Sequence, residues 1–304
     1  MSDRVEIPAT VLCHALGDEP VATHLSLGSD TLGIEGDGFA DELRLDNLFD
    51  VRVGAPPQAA ASAFSGTVLT VGFERDGGRE VLFVRTDPDT LTTFAGLLYR
   101  RLLDGEEVAV CHPAEIGGRV TDATYDIGRL HVVPDRVGVS DVRAPFDLEL
   151  GMIVDFWRST EELLGDRQQV IHIQYVRDGV AVSLDLALNP PRAQHLLGRH
   201  LQRKYVETRR EIRGLDVPPV GVRALVRLYS LRGRMRPQSL ADGESVSTSA
   251  LVRALRRRGL IEPADGEVAL TSRGWILVTE YVSQSGHGHE TTDGTRQRAA
   301  GQTD

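Results

Sequence analysis

An internal repeat is the feature of this 304-residue sequence that most constrains its fold. Residues 25–51 align with residues 130–156 at a constant offset of 105, and residues 68–77 align with residues 170–179 at an offset of 102. The three-residue change of offset falls in a loop, where changes of length are tolerated. The sequence therefore predicts a tandem duplication of one structural unit, followed by a remainder.

Each copy has the pattern of an antiparallel β structure. Short runs of alternating apolar and polar residues are bounded by Gly, Asp and Pro, which is typical of strands joined by hairpins. Asp76-Gly77 in the first copy and Asp178-Gly179 in the second lie between two alternating segments and predict tight turns. Roughly seven strands of ordinary length fit into each copy.

Each copy ends in one predicted helix. In the first copy Asp87 precedes Pro88 as a cap, and Gly105 ends the helix. In the second copy the helix starts after Asn189 and ends at Gly214. Apolar residues recur at steps of three and four and predict one buried stripe in each helix: Leu91, Phe94, Ala95, Leu98, Tyr99 and Leu102 in the first, and Ala193, Leu196, Leu197 and Leu201 in the second.

These patterns predict an α+β fold in three parts and a tail. Seven strands closed by one helix are typical of a pleckstrin-homology-like β-barrel, and an isolated β-sandwich is the alternative. Helices and an Asp265-Gly266 hairpin after Gly214 predict a winged helix-turn-helix. The predicted boundaries are 5–110 and 111–214 for the two pleckstrin-homology-like domains, 215–282 for the winged helix, and 283–304 for a disordered tail.

Composition excludes several classes of protein. Two cysteines cannot provide a disulfide framework, and no stretch approaches the roughly 18 apolar residues of a membrane helix, so we expect a cytoplasmic chain without membrane insertion. Neither a GxSxG elbow nor a Walker loop is present, and we expect no enzymatic activity and no cofactor. Cys13-His14 and Cys111-His112 do not predict a metal site, because adjacent strand residues point to opposite faces.

Charge is divided unevenly along the chain. The formal net charge is −10, but residues 1–150 carry −14 and residues 192–258 carry +11. The candidate partner-binding residues are arginines of this basic stretch: Arg232 and Arg234 before the second helix of the winged-helix segment, and Arg253, Arg256 and Arg257 on its third helix. They could contact DNA, dock an acidic protein or form a solvated face; the acidic first half favours a protein over DNA.

The sequence resembles the CheF family of archaeal taxis proteins from about residue 5 to residue 282. The resemblance rests on NLFDVRVG (47–54), HPAEIGGRVTDATYDIGRLHVVPDRVGV (112–139), IVDFWRST (153–160) and NPPRAQHLLGRHLQRKY (189–205), with GGRVTDA (117–123) the most specific string. Membership of this family implies an adaptor that links the response regulator CheY and the CheC/CheD proteins to the archaellum motor. It implies no catalysis.

We therefore expect a non-catalytic adaptor in archaeal chemotaxis and phototaxis. Its expected partners are phosphorylated CheY, the CheC/CheD proteins and components of the archaellum motor, with a homodimer as a further option. The alternative is a transcription regulator in which the winged helix binds DNA.

Overall fold

A computed structural model describes residues 4–163 and 165–285. Eighteen strands and five α-helices lie within these residues. The elements of the first copy are β1 (Val5–Leu12), β2 (Val21–Leu27), β3 (Thr31–Gly36), β4 (Phe39–Arg44), β5 (Leu48–Gly54), β6 (Val68–Arg75), β7 (Gly78–Arg85) and α1 (Pro88–Leu103).

The second copy repeats this order with one short additional strand. Its elements are β8 (Glu107–Ile116), β9 (Arg119–Val120), β10 (Asp126–Val133), β11 (Arg136–Ser140), β12 (Phe146–Glu149), β13 (Ile153–Leu163), β14 (Asp166–Arg177), β15 (Val180–Leu188) and α2 (Pro191–Arg213). The remainder contains α3 (Pro219–Ser230), β16 (Arg234–Met235), α4 (Thr248–Arg257), β17 (Ile261–Ala264), β18 (Glu267–Leu270) and α5 (Ser272–Ser285).

The two large sheets have the same order of strands. The first runs β4-β3-β2-β1-β7-β6-β5, and the second runs β12-β11-β10-β8-β15-β14-β13, with β9 beside β8. Both also break register at the same place: between Leu48 and Asp50 in β5, and between Ile153 and Asp155 in β13, which are 105 residues apart. A bulge re-aims the residues that follow it and tends to be retained as a feature of a fold.

Neither sheet closes into a barrel, so the prediction of closed β-barrels is wrong. Closure requires the first and last strands of a sheet to pair. In the described residues β4 and β5 form the two ends of the first sheet, and β12 and β13 form the ends of the second. A 3-10 turn interrupts the chain before each last strand, Leu45–Asn47 in one copy and Leu150–Met152 in the other. The architecture is mixed α and β, with large antiparallel sheets.

The helix α1 follows the prediction from its sequence. The Asp87 carboxylate accepts a hydrogen bond from the backbone N–H of Thr90 at 3.0 Å and caps the first turn, and Pro88 occupies the first helical position. Its apolar stripe is buried and packs on β5 and β6. Inside this packing the Tyr99 hydroxyl donates a hydrogen bond to the backbone carbonyl of Val51. The predicted apolar stripe of α2 is also buried: Ala193, Leu196, Leu197 and Leu201.

The described residues divide into two compact units. The first contains residues 4–108, 128–147 and 188–203, and the second contains residues 109–127, 148–163, 165–187 and 204–285. In the first unit the Asp50 carboxylate lies 3.0 Å from both the Arg199 Nε and the His195 Nε2, and these partners lower the pKa of Asp50 although its burial raises it. This cluster anchors the start of α2 against β5.

In the second unit, part of the second sheet and the helices after Gly214 share one hydrophobic core. Val154, Val176 and Ala181 of the sheet belong to the same buried cluster as residues of α3, α4 and α5. The three short strands form a sheet of order β16-β18-β17. The predicted hairpin at Asp265-Gly266 is present, and the predicted short second helix is a 3-10 turn, Pro237–Ala241.

The three-domain division and the tail stay predictions. Residues 283–285 belong to α5, and residues 286–304 of the predicted tail lie outside the described residues. A search of the described helices for one long and apolar enough to span a bilayer finds none.

Candidate functional site

The helix α4 presents three arginines on one side. Leu251 and Leu255 are buried and fix the orientation of the helix on the core of the second unit. Residues at steps of three and four from one another therefore share the outer side. The arginine face, which we define as Arg253, Arg256 and Arg257, is exposed and lines an open surface depression together with Ser249 and Val252.

The guanidinium groups of the arginine face have no hydrogen-bonding or ion-pairing partner among the described residues. The neighbouring Arg258 differs, because its Nε donates to the backbone carbonyl of Asp216 at 2.9 Å and its Nη1 donates to that of Ala254. Arg258 therefore holds the end of α4 in place. The three unpaired cations can take carboxylate or phosphate oxygens from outside, for which the planar guanidinium is well shaped.

An ion pair fixes the segment that leads into α4. The Arg223 guanidinium on α3 donates to both carboxylate oxygens of Glu244, at 2.8 and 2.7 Å. This two-pronged contact lowers the pKa of Glu244 and keeps it ionised. The chain before the arginine face is thereby tied to the helix behind it, which reduces the freedom that the face would lose on binding.

The two other candidate arginines are placed differently. The Arg234 Nε donates to the backbone carbonyl of Asp178 at 2.6 Å, and its Nη2 lies 3.9 Å from the Asp265 carboxylate. Arg234 therefore joins β16 to the turn between β14 and β15. Arg232 is exposed in the preceding turn, with a φ of 64°. Neither lines the depression beside α4, and a partner-binding role for them stays a prediction.

The hairpin formed by β17 and β18, which is the predicted wing, is acidic. Its charged residues are Glu262, Asp265 and Glu267, and residues 261–270 contain no lysine or arginine. The Asp265 side chain at the tip is 92% exposed. A wing of this charge repels a phosphate backbone, whereas the arginine face attracts anions.

A second polar cluster lies on the second sheet and was not singled out from the sequence. His172 of β14 is buried; its Nδ1 lies 2.7 Å from the Asp185 carboxylate on β15. Its Nε2 lies 2.7 Å from the Ser159 hydroxyl and 3.1 Å from the Glu161 carboxylate, both on β13. The pairing of three strands, which brings its partners together, has no signal in the local sequence.

This cluster has the order Ser, His, Asp of a hydrolytic triad, but Glu161 changes its chemistry. A triad needs a neutral imidazole whose Nε2 accepts the serine proton. Here the Ser159 hydroxyl lies 2.7 Å from the Glu161 carboxylate, and the imidazole lies between two carboxylates. Carboxylates accept hydrogen bonds and so favour the protonated imidazole, which cannot act as a base.

The two Cys-His pairs engage in ordinary contacts. The His112 Nε2 lies 2.7 Å from the Tyr175 hydroxyl, and the Cys111 thiol points to the backbone carbonyl of Ala123. Both cysteines are reduced and buried, and burial raises the pKa of each thiol. A search of the described residues for three or more His, Cys, Asp or Glu side chains able to hold one metal ion finds no such group.

Comparison with known proteins gives the class of this chain. Residues 14–207 match the family model described as archaeal chemotaxis signal transduction system protein F. The chain therefore belongs to the archaeal CheF family, and the resemblance seen in its sequence is confirmed. The arginine face lies outside the residues matched by the family model.

A particular relative covers more of the chain. Taxis protein CheF2 of Halobacterium salinarum is 26% identical over 264 residues, which are 87% of this chain and 91% of the relative. The chain is thus an archaeal chemotaxis signal-transduction protein, and its class implies interaction with other taxis proteins.

Proposed function

We propose that this protein is a non-catalytic, cytoplasmic adaptor that links CheY, with the CheC/CheD proteins, to the archaellum motor, and that the arginine face of α4 docks an acidic protein partner. The observation that carries the proposal is a group of three exposed guanidiniums that have no partner among the residues described by the structure: Arg253, Arg256 and Arg257. Cations that stabilise nothing within a fold are available to an external anion.

The proposal includes two pleckstrin-homology-like units followed by a winged helix. The identical strand order of the two sheets, the equivalent bulges and the helices that follow β7 and β15 support a duplication. The sequence of elements from α3 to α5 and the sheet order β16-β18-β17 support a winged helix. On this proposal the winged helix is held against the second repeat by the shared core of Val154, Val176 and Ala181.

On this proposal the same core also explains why the winged helix packs on the second repeat and not on the first. The equivalent positions of the first repeat are Phe49, Glu74 and Arg79. There the Arg79 guanidinium lies 5.0 Å from the centre of the Phe49 ring and pairs with Glu74 at 3.6 Å. A charged surface of this kind is stable in water, and packing a helical domain onto it would bury charges at high cost. The two repeats are therefore suited to different neighbours.

The acidic wing favours a protein over DNA as the partner of the arginine face. A DNA-binding winged helix places its recognition helix in the major groove and its flanking hairpin near the phosphates. Glu262, Asp265 and Glu267 would then face the phosphates, and the net charge of −10 adds to the repulsion. The DNA-binding regulator remains the second candidate because α4 would be the recognition helix of the proposed winged helix.

On this proposal the signal is transferred because the protein binds phosphorylated CheY and resting CheY with different affinities. A ligand shifts an equilibrium only by the ratio of its affinities for the two states. If phosphorylated CheY binds ten times more tightly than the resting form, the available coupling free energy is about 1.4 kcal/mol. That coupling free energy would favour motor-bound complexes that contain phosphorylated CheY over those that contain the resting form.

Calorimetric titration with CheY from the same source tests the proposal. The titration is made with and without beryllofluoride, which mimics the phosphoryl group, at the salt concentration native to the source. Tighter binding of the activated form supports the adaptor. Absence of binding to both forms contradicts direct recognition of CheY, and tight, salt-sensitive binding of duplex DNA by the same chain would support the regulator instead.

A further inference from the structure

A chain of polar side chains crosses three strands on one face of the second sheet. Trp157, Ser159 and Glu161 alternate along β13 and therefore share a face. The register pairs Trp157 with His172 on β14, and His172 with Asp185 on β15. In the first repeat Thr70 and Phe83 occupy the positions of His172 and Asp185. This row of contacting side chains is therefore particular to the second repeat.

The arrangement of donors and acceptors favours two protons on the imidazole. When His172 is protonated, Nδ1–H donates to Asp185 and Nε2–H donates to Ser159 and Glu161, while the Ser159 hydroxyl donates to Glu161. All donors and acceptors are then satisfied. When His172 is neutral, its Nε2 lone pair faces the Glu161 carboxylate, and the single Ser159 proton serves only one of the two acceptors.

The carboxylates packed around the imidazole favour its protonated form. Burial lowers the pKa of His172, but the hydrogen bonds and charges of Asp185 and Glu161 outweigh this and raise it above its usual value of 6.5. Cys111 on β8 and Tyr125 before β10 face the same carboxylates, and both have raised pKa values because of burial and the charge of Asp185. These groups therefore remain neutral and supply no competing charge.

We propose that protonated His172 is a lock that holds β13 to β14 and β15, and that its deprotonation releases the Glu161 end of the β13–β14 hairpin. The lock lies near the end of the pairing of β14 with β15, at Ile171 and Leu186, whereas β13 and β14 stay paired as far as Leu163 and Asp166. Beyond that point a small apolar cluster, Ala109, Leu163, Val170 and Ala187 with Tyr125, packs the hairpin.

The sign of the pH dependence follows from the raised pKa. A histidine whose pKa is higher in the folded state than in the unfolded state stabilises the fold below about pH 6.5, its unfolded value. That stabilisation is lost as the pH rises through the folded value. The hairpin is therefore held tightly below about pH 6.5 and loosens as the pH rises through the pKa of His172 in the folded state.

Trp157 provides a reporter in direct contact with the lock. Its ring stacks on the His172 ring, with 5.1 Å between centroids and 15° between planes. The chain has two tryptophans, so Trp275→Phe leaves Trp157 as the only indole. A protonated imidazole quenches indole emission more strongly than a neutral one, so emission should rise with pH through the transition of His172.

The experiment is a fluorescence titration of the full chain with Trp275→Phe. We expect a single transition with its midpoint above pH 6.5, its disappearance in His172→Gln, and a downward shift of about one pH unit in Glu161→Gln. Glu162→Gln is the matched control, because Glu162 is the next residue of β13, carries the same charge and points to the other face. It should leave the midpoint unchanged.

Hydrogen exchange shows whether titration of His172 changes the stability of the β13–β14 hairpin or leaves that stability unchanged. After correction for intrinsic rates, amides of 160–163 and 166–170 should lose protection severalfold across the same transition, and in Glu161→Gln they should lose it about one pH unit lower. Histidine side-chain NMR on the wild-type chain gives the same midpoint without Trp275→Phe. A midpoint at or below 6.5, or hairpin protection that does not change with pH, would overturn the proposal.

Discussion

The turn between β14 and β15 gives a sharp test of how the second unit is packed, because the first repeat contains its matched control. Gly179 and Gly77 have nearly the same left-handed backbone, with φ of 74° and 77°. A Cβ added to Gly179 would lie 2.6 Å from the Ala269 Cβ and 3.2 Å from the Gly233 carbonyl oxygen. A Cβ added to Gly77 would meet no atom within 4 Å.

The two alanine substitutions should therefore differ in cost. Each pays about 1–2 kcal/mol for placing an L-residue in the left-handed region. Gly179→Ala adds overlap with β16 and β18, which costs a further 1–3 kcal/mol or so in a packed site. We expect a loss of about 2–5 kcal/mol in the free energy of unfolding for Gly179→Ala and about 1–2 kcal/mol for Gly77→Ala.

Urea denaturation followed with two signals measures this difference. Far-ultraviolet circular dichroism reports the whole chain, and Trp275 emission in a Trp157→Phe background reports the core that contains α3, α4 and α5. Gly179→Ala should lower the midpoint of the Trp275 transition, and Gly77→Ala should leave that transition nearly unchanged. Equal losses from both substitutions on both signals would refute the packing of the Gly179 turn against β16 and β18.

Two further predictions concern the buried pair Tyr99 and His200 in the first unit, whose rings lie 4.8 Å apart. Burial and the charge of Arg203 lower the pKa of His200 to about 3, so stability should fall as the pH drops below 6.5, by about 2 kcal/mol between pH 7 and pH 5. His200→Phe should remove this slope in urea titrations at several pH values, and a slope as steep as that of the wild type would count against it. Tyr99→Phe leaves the buried Val51 carbonyl without its donor and should cost about 1–3 kcal/mol at pH 7; a loss below about 0.5 kcal/mol would show that water replaces the hydroxyl.

Local structure was predictable from the sequence because its signals are local. The Asp-Gly turns at 76–77 and 178–179, the cap at Asp87 and the apolar stripe of α1 all depend on residues within a few positions of one another. The repeat in the sequence predicted that the two copies fold alike, and their sheets have the same order of strands. These elements lie where the sequence placed them.

The long-range contacts were not predictable for the same reason. The cluster around His172 needs Ser159, Glu161 and Asp185 from two other strands, and only the register of the sheet brings them together. Closure of a sheet likewise depends on tilt and stagger summed over every strand, and neither quantity is encoded in a local pattern.

Among the candidate arginines, the exposure of three was predictable from the sequence, whereas the contact of a fourth was not. Exposure of Arg253, Arg256 and Arg257 follows from helical spacing around the buried Leu251 and Leu255, so the sequence could place them on one face. The bond from Arg234 to the Asp178 carbonyl joins residues 56 positions apart, and the basic composition of the segment gives no indication of it.

Charge reversal on the arginine face tests the central claim most directly. The measurement is the calorimetric affinity for beryllofluoride-activated CheY of a variant with Arg253→Glu, Arg256→Glu and Arg257→Glu. The matched control reverses three other exposed arginines, Arg52, Arg85 and Arg100, and so changes the net charge by the same amount. We predict at least about tenfold weaker binding for the first variant, which is about 1.4 kcal/mol, and less than about twofold for the control. Equal affinities of the two variants would contradict docking at α4.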